Sequence, residues 1–402
     1  MIFPPSLQVP GEVLDIARQL ESAGFEAWCV GGAVRDALLG DPQSDFDIAT
    51  SATPDQVQQL FRRTVPVGIE FGTVGVLDRK GVLHEVTTFR RDVSTDGRRA
   101  VVAYGATLEE DLARRDFTIN AIAYHPVRHD WKDPFEGAVD LERKRLRAVG
   151  TAAERFHEDY LRILRGIRFA ARFEFAIEPD TWAAAVAAVP GLKGLSAERV
   201  RDEWFKGLRS ARSVERLAAL WWKIGAAPVW LPELLPDEAR AGIHALQGGG
   251  ERLPPARRDP VLLTMLLCRS PADVLTRLRC SNAEIARARN LAHAPAAPAS
   301  PSASDVRRWL AAAGSAADDL LELIRLRSGS PAAWAPAVAE IRQRGDPLSR
   351  TDLAIRGEEL VAAGVPPGPA VGRILAALLD RVLEDPARNT REALLALTKE
   401  LL

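Results

Sequence analysis

The stretch Gly31-Gly32-Ala33-Val34-Arg35-Asp36-Ala37-Leu38-Leu39-Gly40-Asp41-Pro42-Gln43-Ser44-Asp45-Phe46-Asp47 runs from paired glycines to paired carboxylates. Glycine has no Cβ, so the backbone at Gly31 and Gly32 can approach a phosphate closely. Arg35 follows with a planar fork that fits two phosphate oxygens. On an extended strand Asp45 and Asp47 point to the same face. Two carboxylates on one face make a hard oxygen site for Mg²⁺. Alone, an Asp-x-Asp pair also fits a solvated loop or a helix N-cap. The neighbouring glycines and arginine favour a site for a nucleoside triphosphate and its metals.

Around this stretch the pattern alternates between helix and strand. An amphipathic helix is predicted over 11–23, a short strand over 25–30, and a helix over 33–39 closed by Gly40. The next strand is 45–50. Thr53 then caps a helix over 54–61 with proline at its first position. Residues 74–77 and 82–89 read as strands joined by the turn Asp78-Arg79-Lys80-Gly81. These elements predict a small α/β or α+β head over 1–148. Beyond Leu146 strand signals fade. Helices are predicted over 155–175, 178–188, 196–209, 213–224, 259–278 and 282–292, and again over 305–402. Residues 294–303, rich in Ala, Pro and Ser, read as a linker or loop.

The bulk properties are those of an ordinary globular protein. At 402 residues the chain exceeds one compact core, and about two to four domains are expected. Its formal net charge of -1 means that a polyanion would have to be met by local basic surfaces. Cys29, Cys268 and Cys280 form no CxxC pair, which argues against zinc or a disulfide framework and fits a reducing cytoplasm. The N-terminal residues lack a signal-peptide pattern, and no apolar run reaches membrane-span length.

Four further constellations carry chemistry. Glu85, on the 82–89 strand, is either a third metal carboxylate or an exposed strand residue. In Arg114-Arg115-Asp116-Phe117-Thr118-Ile119-Asn120 the arginines suit phosphate and the aspartate a ribose hydroxyl; the alternative is a salt-bridge cluster with Glu109-Glu110-Asp111. Asp159, Arg162, Arg165 and Arg168 recur every three residues along one helix stripe. They could read a base edge, but spacing alone favours a surface Asp–Arg salt bridge. His129-Asp130, with His125 nearby, could be a metal doublet, and a polar turn is the better reading.

Together these motifs resemble the bacterial class II tRNA nucleotidyltransferases, or CCA-adding enzymes, which share their head with bacterial poly(A) polymerases. The resemblance rests on Gly31-Gly32-Ala33-Val34-Arg35-Asp36, Asp45-Phe46-Asp47-Ile48, Arg114 to Ala121 and Glu158-Asp159-Tyr160-Leu161-Arg162, and it extends over essentially the whole chain. It implies a mixed-sheet head of the DNA polymerase beta type over 1–148, followed by an all-α neck over 149–210. A helical body over 211–293, the 294–303 linker and a tRNA-binding tail over 304–402 would complete an α+β architecture. It also implies that Asp45 and Asp47 hold Mg²⁺, with Glu85 the open candidate for a third ligand. Gly31, Gly32, Arg35 and an arginine of the Arg114-Arg115 pair would hold the triphosphate and Asp116 would face the ribose, with Asn120 a further nucleotide-binding candidate. Asp159 and Arg162 would pair with the base, and Arg165 and Arg168 would extend that surface. Glu198 and Arg199 would brace the neck helices.

The expected reaction is the template-independent addition of CMP and AMP from CTP and ATP to the 3′ end of tRNA, in the cytoplasm, with no membrane or protein partner implied. Arg277, Arg279, Arg287, Arg289 and Arg373 are candidates for a basic face toward tRNA. The segment Arg91 to Ala100 departs from the family, with Ala100 where a proline often follows the paired arginines. CC-only or A-only addition, a poly(A) polymerase and a non-catalytic RNA-binding relative are therefore the alternatives.

Overall fold

The computed structural model describes residues 3–41, 46–95, 100–237 and 258–402, without the side chains of 92–95 and 100–102. The chain divides into two compact units. One comprises Met1–Asp237 with Arg277–Arg279, and the other includes Val261–Thr276 and Cys280–Leu402.

The first unit begins with helix α1 (Gly11–Ser22), strand β1 (Ala27–Val30), α2 (Gly32–Leu39), β2 (Asp47–Thr50) and α3 (Pro54–Leu60). Next come β3 (Thr64–Pro66), β4 (Thr73–Leu77), β5 (Leu83–Thr88), β6 (Arg90–Thr95) and β7 (Ala100–Tyr104). Then follow α4 (Leu108–Ala113), β8 (Ala123–Tyr124), β9 (Trp131–Lys132), α5 (Gly137–Glu142) and β10 (Arg145–Leu146). The predicted caps are present: Gly40 takes the left-handed conformation, and Thr53 forms a capping box with Gln56. Seven strands form one mixed sheet in the order β3-β4-β5-β2-β1-β8-β9, in which β2 and β5 run parallel.

One face of this sheet packs Trp28, Val30, Ala49 and Ala123 against Leu108 and Leu112 of α4. The alternate residues Cys29, Ile48 and Val86 are also buried. A strand covered on both faces reads as a continuous apolar run, which is why β1 was visible in the sequence. The segment between Arg90 and Tyr104 is a β6–β7 hairpin rather than a loop. Arg98 and Arg99 lie outside the described residues.

The helical part of this unit differs from expectation at one important place. The helix predicted over 155–175 is two helices, α6 (Ala152–Glu158) and α7 (Leu161–Phe173). Asp159 breaks it with an extended φ of -155°, and its carboxylate accepts the Leu161 N–H at 3.0 Å, starting the next helix. A short parallel pair, β10 with β11 (Ala176–Ile177), also lies beyond Leu146. Then come α8 (Pro179–Ala188), α9 (Ala197–Ser210), α10 (Val214–Ile224) and α11 (Ala227–Trp230).

The expected boundary at 148/149 is crossed by hydrogen bonds, with Val149 N–H donating to Asp116 O at 3.2 Å. Gly166 lets α7 approach the Asp116–Asn120 turn closely: a Cβ there would lie 3.0 Å from the Phe117 ring.

The second unit is helical among the described residues. The helix predicted over 259–278 is interrupted at Ser270-Pro271, since proline cannot continue an N–H ladder. Helices resume at Ala303, the last residue of the expected 294–303 loop. Trp309 and Trp334 anchor one core cluster, and Leu360, Leu378 and Val382 another. Arg307 is buried and donates to the carbonyls of Leu383 (2.7 Å) and Glu384 (2.8 Å), where a cation suits a helix C-terminus. Among the described residues no helix is long and apolar enough to cross a membrane.

Gly137 at the start of α5 gives a test of this packing. A Cβ there would collide with the Thr118 carbonyl and lie 2.8 Å from Ile122 Cγ1. Gly137→Ala is expected to cost about 1–3 kcal/mol in urea unfolding. An unchanged midpoint would contradict the close approach.

Candidate active site

A cleft of about 640 Å³ opens in the first unit where β1, β2 and β5 meet α7. Its described lining includes nine arginines, four carboxylates and no lysine or histidine. A surface so rich in guanidinium suits a polyphosphate.

The strands bring the acidic groups together. Ile48 and Val86 are register partners on the parallel strands β2 and β5, so Asp47 and Glu85, one residue earlier on each, share the same face. Both are exposed and both line the cleft. Asp45 lies outside the described residues. Among those described, no three His, Cys, Asp or Glu side chains form a metal-binding group. The donor chemistry of Asp47 and Glu85 nevertheless fits a hard divalent cation. Behind Asp47, burial first and the Asp47 charge second push the Cys29 thiol up to about 12, so it is no nucleophile at neutral pH.

Gly31 bridges the acidic and basic sides. Its φ of +77° is open to glycine, and a Cβ there would lie 3.2 Å from Arg115 Nη1 and 3.9 Å from Asp47 Oδ2. Arg114 and Arg115 are aimed by Asp111, within the salt-bridge cluster that the sequence offered as an alternative. Buried Asp111 accepts Arg114 Nε at 3.0 Å and Arg115 Nη2 at 3.2 Å. Burial works against its charge, but Arg115 and Arg114 hold its carboxyl below the usual range. The Nε of Arg115 has no hydrogen-bond partner among the described residues, although it is buried.

Arg35 lines the cleft and is also held by protein groups. Its Nε and Nη2 donate to Asp36 Oδ1 at 2.9 and 2.7 Å, its Nη1 donates to Asn120 Oδ1, and it is 3% exposed. These bonds fix its guanidinium in the cleft wall. Asn120 is likewise engaged, donating from Nδ2 to Asp116 Oδ1 at 2.9 Å.

Asp116 is 8% exposed and accepts the Phe117 N–H at 2.8 Å and Arg165 Nε at 2.7 Å. Burial raises the cost of its charge, yet Arg165, Asn120 and the Phe117 N–H outweigh this and bring its pKa down to about 2.

The neck residues do not form the simple salt bridge that spacing favoured. Arg162 donates to Glu158 Oε2 at 2.7 Å and to the carbonyls of Arg155 (3.2 Å) and Arg114 (2.8 Å). Asp159 instead accepts Arg199 Nη2 at 2.7 Å. Arg199 thus braces Asp159 and itself lines the cleft. Arg168 is buried against Glu203 at 2.6 Å, and Arg172 donates to Asp36 Oδ2 at 2.9 Å. Arg172 and Glu203 carried no local sequence signal for these pairs, because their partners Asp36 and Arg168 are distant in the chain.

Comparison with known proteins agrees with this geometry. The Poly A polymerase head domain matches residues 27–147, and tRNA nucleotidyltransferase domain 2 matches 261–398. A probable RNA- and SrmB-binding site of polymerase A matches 174–237. The CCA-adding enzyme of Latilactobacillus sakei is 38% identical over 398 residues, covering 96% of this chain and 97% of that one. The chain belongs to the CCA-adding enzyme family.

The Lacticaseibacillus paracasei CCA-adding enzyme is 37% identical over 393 residues, covering 96% of both chains. The Bacillus stearothermophilus CCA-adding enzyme, solved in complex with CTP, superposes with a TM-score of 0.81 at 33% identity over 99% of this chain and 98% of that one. Two other features are described beside this family fold. His125 pairs with Glu21, His129 bonds Tyr124 and Asp130 pairs with Arg128, so the histidine–aspartate doublet is tied into a turn. Of the candidate basic residues, Arg277, Arg279 and Arg287 pair with Glu233, Glu198 and Asp319, whereas Arg289 and Arg373 are exposed.

Asp116 yields a pH prediction. Its folded pKa of about 2 lies below the ordinary 3.8, so its stabilisation is present above roughly pH 4 and is lost as pH falls toward 2. Between these limits the wild type should lose about 2 kcal/mol more than Asp116→Asn in urea unfolding. Parallel pH profiles for the two proteins would contradict the buried, charged assignment.

Proposed function

We propose that this protein adds C, C and A to the 3′ end of tRNA from CTP and ATP, without a nucleic-acid template and with release of pyrophosphate. The observation that carries this reading is the cleft itself. It joins carboxylates on neighbouring strands, an arginine-rich wall and the Asp159–Arg162 turn, in a chain that matches CCA-adding enzymes over 96% of its length.

In this reading Asp45, Asp47 and Glu85 hold Mg²⁺. When bound, the metal supplies Lewis acidity for the tRNA hydroxyl and charge neutralisation on the triphosphate. Gly31 and Gly32 let the backbone come close to the phosphates, and Arg114 and Arg115, aimed by Asp111, hold phosphate oxygens. Among the described residues Asp116 Oδ2 accepts only Arg165, and it retains lone-pair capacity for a ribose hydroxyl. Arg162 keeps two of its five N–H donors for a base edge. Asp159, steered by Arg199, offers the matching acceptor. Because protein groups face the base, no template strand is needed. The segments 1–148 and 149–210 act as head and neck, 211–293 as body and 304–402 as the tRNA-binding tail. A cytoplasmic location follows from the substrate.

The direct test uses tRNA transcripts ending before the first C, after C-C, or complete, each given CTP, ATP or both. The first two should be completed to C-C-A and the third left unextended. Extension of only the C-C transcript, or only to C-C, would reduce the activity to A or CC addition. Open-ended adenylation would mark a poly(A) polymerase.

Asp47→Ala should lower turnover at least about 1,000-fold, while tRNA affinity in a filter-binding assay changes less than about 2-fold. Chelation of divalent metal should act similarly. Wild-type turnover in Asp47→Ala would remove the metal assignment.

A further inference from the structure

The charged side chains between α2, the Asp116–Asn120 turn and α7 close into a ring. Asp36 Oδ1 accepts two donors from Arg35, at 2.9 and 2.7 Å. Arg35 donates onward to Asn120, Asn120 to Asp116 at 2.9 Å, and Asp116 is held by Arg165 at 2.7 Å. Arg165 and Arg172 lie about two turns apart on α7. Arg172 completes the circuit by donating to Asp36 Oδ2 at 2.9 Å. The Arg35 guanidinium also lies over the rings of Phe169 and Phe173, at 5.1 and 4.8 Å from their centroids. The side chains of Arg35 and Asp36 are 4% and 2% exposed, so water competes little for these bonds.

Two facts give the ring a functional direction. The helix α2 begins at Gly32, on the cleft wall, and Asp36 lies one turn further along it. The helix α7 carries Arg162 into the same cleft. A closed circuit of directional bonds lets neither helix rotate without breaking a buried charge pair, which is costly.

We propose that the Asp36–Arg172 ion pair is a specificity-determining link. It couples the phosphate-side helix α2 to the base-side helix α7, so that the triphosphate aligns over Asp47 only when α7 accepts the base edge. The inference rests on the nucleotide-addition reading above. Both residues act through others: they are positioning residues, and neither has to touch the base. Small displacements suffice for such an effect, since a shift of about 1 Å at a reacting centre can cost about 100-fold in rate.

Arg172 is the ring member to test. Its removal leaves Asp36 paired with Arg35 and Asp116 paired with Arg165, so no buried carboxylate is stranded. The measurement is single-nucleotide addition to a transcript ending before the first C, with kcat and KM determined separately for CTP and ATP. In Arg172→Met the ratio of kcat/KM for CTP over ATP should fall about 10-fold or more, with kcat for CTP lowered and the KM for tRNA within about 2-fold. Arg172→Lys keeps a charged donor and should fall between, with the ratio reduced about 3-fold.

A ratio within about 2-fold of wild type in Arg172→Met would overturn the link, even if the thermal midpoint drops, since a purely structural pair would act on stability alone. If the methionine variant does not fold, an unchanged ratio in Arg172→Lys overturns it equally. Failure of the wild type to add any nucleotide would instead defeat the functional reading, before any variant is compared.

Discussion

A buried carboxylate is expensive unless its charge is matched, and Asp116 shows how such a cost organises a site. It sits where the sheet turns toward the helices, and three donors converge on it. Two of these come from its own turn. The third, Arg165, comes from α7 and ties that helix to the turn. Once Arg165 is directed to Asp116, Phe117 packs edge-on to Phe169 at 5.9 Å and Gly166 accommodates its ring. Arg162 and Arg168 follow from helical geometry. The arrangement of the cleft thus traces back to one ion pair that bridges the two segments named head and neck.

The fold was legible wherever structure is local. The caps at Gly40 and Thr53, the apolar strand β1 and the helix periods of α1, α8, α9 and α10 each depend on neighbours within a few residues. Legibility failed where a single polar side chain competes with the backbone. At Asp159 the pattern of arginines every third residue looks like an unbroken helix, yet its carboxylate takes an N–H of the next turn and ends one helix to start another. That break frees Asp159 from Arg162 and gives it to Arg199.

The site was legible as a set of residues, since all the described candidates line one cleft. Their individual jobs were less so. Arg35 looks like a phosphate fork because its preferred partners are anions. How its guanidinium is fixed depends on Asp36, its neighbour, and on Asn120, 85 positions away. Arg172 gives the complementary case. Nothing in its local sequence distinguishes it from a surface charge, and only its contact with Asp36, far away in the chain, makes it a support. Family resemblance could nominate the neck residues, but the partners that steer them emerge from three-dimensional contact.

The composition of the cleft wall has a further consequence. Among its described residues every cation is an arginine, and there is no histidine, lysine, cysteine or tyrosine. Guanidinium groups keep their proton throughout the physiological range, and Asp116 stays ionised there. This part of the wall is therefore a fixed electrostatic mould. Its charge does not change between mildly acidic and mildly alkaline conditions, so its attraction for a polyanion is set by geometry and salt rather than by pH.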